Sequence, residues 1–124
     1  MVTVPHFISL IREHLPLRIA TASLHQGILM ISGDNWSFAT ESAWRVASSV
    51  GFEFGSGSDP SDAQVAVLVG QSVIGAEPFG AANLDPCFTL SSGYVLESFS
   101  ATDFEPWHLR LPGDVFIIAD GTPA

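Results

Sequence analysis

Apolar and polar residues follow a helical period at the start of the chain and a strand period over most of the rest. Four apolar residues of segment 5–15 fall on one helical face: Phe7, Ile8, Ile11 and Leu15. This spacing predicts a first helix with Pro5 in its first turn, and Pro16 should end it. Runs with a period of two follow, and turn-forming residues separate them, so they predict antiparallel strands. The runs are Leu17–Ser23, Gly27–Ser32, Trp36–Thr40, Trp44–Ala47, Ser72–Glu77, Cys87–Leu90, Tyr94–Ser100, Trp107–Leu111 and Val115–Ala119.

A second helix is expected after residues 51–58, a Gly- and Ser-rich stretch that is typical of a connector. Asp59 suits an N-cap and Pro60 the first helical position, and Gly70 suits the residue just after the last turn. The segment Val65–Val69 also alternates β-branched residues, which is typical of a strand. The pattern therefore favours a helix and leaves a strand open for Val65–Val69.

The two halves of the chain resemble each other, which predicts one domain over residues 1–124 built from pseudo-repeats 5–50 and 59–119. Two pairs of residues carry the resemblance: Gly33 with Gly93, and Trp44 with Trp107. If the duplication is real, the two tryptophans should occupy equivalent positions on their strands. The alternative is that any antiparallel meander produces such echoes. The predicted fold class is α+β, mostly antiparallel sheet with two helices and an internal duplication of an αββββ unit.

The balance of charges excludes one class of partner. The chain has 13 acidic and 4 basic side chains, and its formal net charge is −9. An acidic chain repels a phosphate backbone, and four scattered Arg residues do not make a basic groove, so nucleic-acid binding is not expected. Because 47% of the residues are apolar and 14% are charged, we expect a folded domain rather than a disordered acidic segment.

The sequence also bears on the compartment. Arg12 and Glu13 interrupt the first apolar stretch, and no basic segment precedes it, so no secretory signal is expected. The longest apolar runs, Val65–Val69 and Val115–Ala119, are far shorter than the roughly 20 residues that a transmembrane helix needs, so no membrane partner is expected. Cys87 is the single cysteine, which excludes an intrachain disulfide and fits a reducing cytoplasm.

No group of residues matches a catalytic or metal-binding motif. The four His residues do not have the spacing of a zinc site, and no Ser lies in a GxSxG turn. Segment Gly55–Ser58 lacks the GK[ST] ending of a phosphate-binding loop. The residues around Cys87 supply an acid rather than an activating base, so a small buried side chain is expected there. We therefore expect no catalytic residue, no cofactor, no metal ion and no enzymatic activity.

Acidic residues and a tryptophan occur together most densely in the second half of the chain. They are Glu97, Asp103, Glu105 and Trp107. An exposed Trp beside acidic residues can anchor an interface, and the acids complement a cationic partner. A Trp at a strand position is also typical of a sheet core. We predict these four residues as a partner-binding site.

Segment 68–112 resembles a group of small bacterial domains. Three stretches carry the resemblance: Leu68-Val-Gly70, Phe88-Thr-Leu-Ser-Ser-Gly93-Tyr-Val-Leu and Glu105-Pro-Trp107-His-Leu-Arg-Leu-Pro112. Several of those domains are grouped with immunity proteins of polymorphic-toxin and contact-dependent-inhibition systems. The resemblance implies a cytoplasmic α+β protein that binds a toxin stoichiometrically. It carries over no functional residue, because immunity proteins differ in where they place their contacts.

Three functions stay open at the level of the sequence. The first is a non-enzymatic acidic domain that binds a basic protein, such as a toxin domain that it neutralises. The second is a self-associating structural module, in which apolar surface left over from folding supports a homodimer. The third is a small-ligand binder or enzyme with a cleft between the two halves. A concave pocket with at least two convergent polar side chains would favour the third.

Overall fold

The computed structural model describes residues 6–41, 43–58, 60–79, 85–99 and 107–118. This part of the chain has two α-helices, eleven β-strands and two short 3-10 turns, at Ser56–Ser58 and Ala66–Leu68. The helices and strands are α1 (His6–Glu13), β1 (Leu17–Arg18), β2 (Thr21–His25), β3 (Ile28–Gly33), β4 (Trp36–Thr40), β5 (Ala43–Ser48), β6 (Gly51–Gly55), α2 (Asp62–Val65), β7 (Ser72–Phe79), β8 (Asp85–Leu90), β9 (Val95–Phe99), β10 (Trp107–Leu111) and β11 (Val115–Ile118). All strand pairs are antiparallel, which confirms the predicted α+β class.

Helix α1 buries the apolar face that its spacing predicts and turns its charged face toward β7. Phe7, Ile8 and Ile11 are buried, and the helix ends at Glu13, before the predicted stop. Arg12 Nε donates to the carbonyl oxygen of Ala76 at 2.9 Å, beside the point where β1 stops covering β7. The Arg12 guanidinium therefore donates to a main-chain carbonyl of β7 that lies beyond the residues paired with β1.

The strands form two sheets, and each half of the chain contributes to both. Sheet A has the order β1-β7-β8-β9-β5-β6, and sheet B has the order β11-β10-β4-β3-β2. The first half gives a three-stranded meander, β2-β3-β4, to sheet B and then the first hairpin, β5–β6, to sheet A. The second half gives the meander β7-β8-β9 to sheet A and the second hairpin, β10–β11, to sheet B. Each half thus adds its hairpin to the sheet that contains the meander of the other half.

The register places the two tryptophans in corresponding positions, as a duplication requires. Trp44 lies opposite Ser98 on the neighbouring meander, and Trp107 lies opposite Thr40. Thr40 and Ser98 are both buried and share a hydrogen bond of 3.1 Å between their hydroxyl oxygens, where the halves meet. When the halves are aligned on the two tryptophans, Gly33 corresponds to a residue of β8 rather than to Gly93, which lies in the turn after that strand. The duplication itself stays a prediction, and the described strands number six in the first half (β1 to β6) and five in the second (β7 to β11) rather than four in each.

The expectation of a connector over residues 51–58 is wrong for its first five residues, which form β6. Phe52 and Phe54 pair with β5, and Phe54 is buried against Trp44 with ring centroids 6.1 Å apart. Gly55 is required by close packing, because a Cβ there would lie 2.6 Å from the carbonyl oxygen of Trp44. Gly55, which helped to make this segment look like a loop, is therefore needed at the end of a strand.

The second helix forms, but it is shorter than predicted and starts later. Ser61, not Asp59, is the N-cap, and it makes a capping box with Gln64. After Val65 the chain continues as a 3-10 turn, and Val69 is extended with φ −67° and ψ 132°. Segment Val65–Val69 is thus helical in its first four residues. In the described ranges no helix is long and apolar enough to span a membrane.

The core lies between the sheets and under α1. Its centre is an aromatic cluster in which Trp107 contacts Phe7 and Phe38, with ring centroids 5.4 and 6.1 Å apart. Phe38 also meets Phe88 of the opposite sheet edge to face at 5.0 Å. Aromatic side chains from both halves therefore share one core.

Candidate functional site

The structure separates the residues that were predicted to contact a partner. Trp107 is fully buried in the core and so offers no surface to a partner. Glu97 lies on the outer face of sheet A, where its side chain is 13% exposed and accepts a hydrogen bond of 2.6 Å from Arg45 Nε. Asp103 and Glu105 lie outside the described residues. The acid-and-Trp cluster is thus not a single exposed patch.

Glu97 belongs instead to a charged row that crosses the outer face of sheet A. The register aligns Glu77, Cys87, Glu97 and Arg45 side by side on β7, β8, β9 and β5. We call these four residues the charged row. Glu77 also pairs with Arg12 of α1 at 2.8 Å. The row joins acidic, thiol and basic groups from both halves of the chain.

The thiol in the charged row is held in its neutral form. Burial, and then the nearby carboxylates of Glu97 and Glu77, raise the pKa of the Cys87 thiol to about 11, while Arg45 opposes the shift. A neutral thiol is a poor nucleophile and a poor metal ligand. Cys87 therefore does not supply a reactive group at neutral pH.

A second row on the same face is less polar and ends at an exposed aromatic ring. Thr89, Val95 and Ala47 are half-buried and aligned across β8, β9 and β5, and Ala47 lies opposite Phe52 of β6. Phe52 is 59% exposed, and it has no ring partner among the described residues. The outer face of sheet A thus runs from a charged row to an open apolar end at β6.

Among the described strands, β6 is at one edge of sheet A, and its central part has no described neighbour on the outer side. Val50, in the turn before it, is 91% exposed, and Glu53 is the extra residue at a β-bulge opposite β5. At the other end, the Ser58 hydroxyl accepts from the N–H of Gly55 at 3.0 Å and donates to its carbonyl oxygen at 2.9 Å. The open stretch is therefore 51–54, which carries one exposed ring and one exposed carboxylate. We call it the β6 edge.

On β11, the corresponding outer strand of sheet B, the phenylalanine ring is partly covered by a neighbouring side chain. Phe116 is 37% exposed and stacks on His108 of β10, with ring centroids 5.8 Å apart and an angle of 19° between the rings. This stacking covers one side of the Phe116 ring. The phenylalanine ring on the outer strand is thus more exposed in the first hairpin than in the second.

Cavities lined by described residues include two that we consider as possible ligand sites. One, of about 290 Å³, is lined by His14, Arg18, Asp34 and Trp36 among others. The other, of about 330 Å³, lies between the two halves, and we call it the Trp44 cavity. Residues that line the Trp44 cavity include Leu24, Trp44, Ser56, Pro60, Ser61 and Asp62. Residue patterns did not reveal either cavity, because each wall comes from segments that are distant in sequence.

Comparisons with known proteins give no further guide to the site. Neither a protein-family model, nor a curated protein, nor a solved structure matches the chain significantly. Within the residues that the structure describes, no group of three or more His, Cys, Asp or Glu side chains is placed to hold a metal ion. The site is therefore argued from its own geometry.

Proposed function

We propose that the protein is a non-enzymatic binding domain that captures a cationic protein at the β6 edge. The observation that carries the proposal is the 59% exposure of Phe52 on β6, which pairs with β5 on one side and has no described strand on the other. An edge strand offers main-chain donors and acceptors to an added strand, and an exposed aromatic side chain beside it can fill a pocket of the partner. The resemblance to immunity proteins makes a toxin domain the first partner to test.

The charge of the β6 edge favours a cationic partner over a second copy of this chain. Glu53 is the central residue of β6, so two copies paired antiparallel about that centre would place Glu53 opposite Glu53. Each copy also has a net charge of −9, and like charges facing each other across strands are destabilising. A strand with Lys or Arg opposite Glu53 would instead gain a favourable pair. We therefore propose a basic protein partner rather than a homodimer.

The proposal is tested by the rate of association with a basic protein. The first partner to use is a cationic protein encoded by an adjacent gene, and its binding is measured by stopped-flow fluorescence at about 50 and 500 mM salt. We expect the association rate to fall steeply as salt rises, because long-range attraction steers the encounter and salt screens it. A rate that does not depend on salt, or no binding, would contradict the proposal.

Matched variants locate the contact. Phe52→Ser should weaken binding by at least about tenfold, since truncation of an aromatic anchor at an interface commonly costs more than 1 kcal/mol. Phe116→Ser removes the same side chain from the corresponding edge and should leave the dissociation constant within about twofold. An equal loss in both variants would place the contact elsewhere.

We also propose that the protein works in the cytoplasm. Its single cysteine makes no intrachain disulfide, and the neutral thiol of Cys87 is compatible with a reducing compartment. Cell fractionation that detects the chain by its own antibody tests the assignment. Recovery of the chain outside the cytoplasmic fraction would contradict it.

A further inference from the structure

One of the two cavities is lined by polar residues from three separate segments of the chain. We call it the Arg18 cavity, since Arg18 of β1 forms part of its wall. His14 follows α1, and Asp34 lies in the turn between β3 and β4. The volume of about 290 Å³ lies near the lower end of the range for small-molecule sites. The cavity therefore has the size and the mixed lining of a small-ligand site.

Close packing of the main chain holds Arg18 beside Asp34. Trp36 Nε1 donates to the carbonyl oxygen of Arg18 at 2.9 Å, which joins β1 to the hairpin of β3 and β4. Gly33 allows this approach, because a Cβ there would overlap the same carbonyl oxygen. Asp34 follows Gly33 directly in the chain. Arg18 and Asp34 are thus neighbours through the fold, although 15 residues separate them in sequence.

The charges of Arg18 and Asp34 share one cavity without neutralising each other. Two other arginines, Arg12 and Arg45, each pair with a glutamate. Arg18 and Asp34 are both exposed, and in the part of the chain that the structure describes neither forms an ion pair. The cavity therefore offers one cationic and one anionic side chain that a ligand can reach from solvent.

The rest of the accessible lining is mainly apolar. Pro16 and Ala20 are exposed, and Pro112 is half-buried. Leu17 and Trp36 also line the cavity, and both are buried. An aliphatic group that covers the proline and alanine surfaces would remove apolar area from water, which favours binding.

The pair of opposite charges selects the class of ligand. A purely anionic ligand on Arg18 would meet repulsion from Asp34, and a purely cationic ligand on Asp34 would meet repulsion from Arg18. A ligand that carries both charges avoids this conflict. A carboxylate accepts two hydrogen bonds from a guanidinium, and an ammonium group donates to a carboxylate. An α-amino acid carries these two groups on one carbon atom.

We propose that the Arg18 cavity binds a free α-amino acid with an aliphatic side chain. Its carboxylate contacts Arg18, its ammonium group contacts Asp34, and its side chain lies against Pro16, Ala20 and Pro112. Strands β1 and β6 form opposite edges of sheet A among the described strands. The site is therefore separate from the β6 edge, and it does not depend on the protein-binding function.

Nuclear magnetic resonance tests the site with leucine as the probe. The indole N–H of Trp36 is the reporter, because it is bonded to the Arg18 carbonyl oxygen, and leucine should shift its signal in a saturable manner. We expect a dissociation constant on the order of 1 mM for so small a molecule. Leucinamide lacks the carboxylate and N-acetylleucine lacks the ammonium group, so each should bind at least about tenfold more weakly. Equal affinity for the three compounds, or no saturable shift, would overturn the proposal.

Charge variants test the two contacts separately. Arg18→Gln should weaken leucine binding at least about tenfold and leave binding of leucinamide, which has no carboxylate, within about twofold. Asp34→Asn should weaken leucine binding to a similar degree and should not weaken binding of N-acetylleucine. Arg45→Gln and Glu53→Gln remove like charges from β5 and β6, and they should leave leucine binding within about twofold. Folded Arg18→Gln and Asp34→Asn proteins that bind leucine as tightly as the original would overturn the proposal.

Discussion

The first and second hairpins have the same place in the two halves, yet the phenylalanine ring on the outer strand is more exposed in the first hairpin than in the second. In the second hairpin, Trp107 Nε1 is bonded to Asp85, and Phe116 stacks on His108. In the first hairpin, Trp44 Nε1 has no partner among the described residues, and Phe52 is 59% exposed at the sheet edge. Both hairpins contribute buried residues to the core, and the first leaves on its outer strand an aromatic ring that is more exposed than the corresponding ring of the second.

The largest expected changes in the free energy of unfolding come from replacing the two tryptophans. Trp107→Ala should lower the free energy of unfolding by about 3–5 kcal/mol, because it removes ring contacts with Phe7 and Phe38 and the bond to Asp85. Trp44→Ala also removes a buried N–H without a partner, which is itself unfavourable, so it should cost about 1–3 kcal/mol less. Urea unfolding measures both. A larger cost for Trp44→Ala would break the comparison.

Asp85, the acceptor for the Trp107 N–H, should contribute more to stability than Ile28, which the register places at the corresponding position of the first half. Asp85→Leu leaves the buried N–H of Trp107 without its carboxylate acceptor and should cost about 1–3 kcal/mol of unfolding free energy. Ile28→Leu is the control, and it should cost less than about 1.5 kcal/mol, since both side chains are aliphatic and of equal volume. If urea unfolding gave similar losses of unfolding free energy for the two variants, the hydrogen bond to Asp85 would contribute nothing to stability.

The hydrogen bond between the two meanders should contribute a smaller coupling free energy to stability. Thr40→Val and Ser98→Ala each break the same buried hydrogen bond, so a double-mutant cycle should give a coupling energy of about 0.5–1.5 kcal/mol. Thermal and urea unfolding of the four proteins supply the cycle. Strictly additive effects would mean that the bond does not join the halves.

The smallest expected effect on the free energy of unfolding at neutral pH comes from Cys87, the thiol of the charged row. Because the folded pKa of Cys87 is raised from about 9 to about 11, the folded state keeps its proton longer, and stability should fall as the pH rises through this window. The rate of alkylation by iodoacetamide should stay low at pH 8 and rise toward pH 11. Glu77→Gln removes one neighbouring carboxylate and should shift this profile to lower pH. A profile centred near pH 8.5 would contradict the burial of the thiol.

Local patterns predicted most strands and the fold class, because alternation and turn residues are properties of short segments. Helix α1 followed from the apolar spacing of Phe7, Ile8 and Ile11. Strand β6 was missed because Gly55, a packing requirement against Trp44, looks like a loop residue in sequence. The N-cap was misplaced because Asp59 and Ser61 have equal capping chemistry, and the chain path decides between them.

The candidate sites depended on information that no short segment contains. The charged row joins β5, β7, β8 and β9, and its members come together through strand order alone. Trp107 and Trp44 look alike in sequence, and their different roles depend on whether the packed sheet brings an acceptor such as Asp85 to the indole. The sequence suggested an exposed anchor at Trp107, whereas the exposed aromatic residue on the proposed surface is Phe52.

The most direct test of the β6 edge as a binding surface uses a cationic extended peptide. Titration of acetyl-(Lys-Val)3-amide into the labelled protein should shift backbone amide signals of residues 51–54 and leave those of β11 unchanged, with the shifts lost in Phe52→Ser. The matched peptide acetyl-(Glu-Val)3-amide should produce no shift, because its charge repels Glu53. Equal shifts at β6 and β11, or a response to the acidic peptide as strong as to the basic one, would contradict the account.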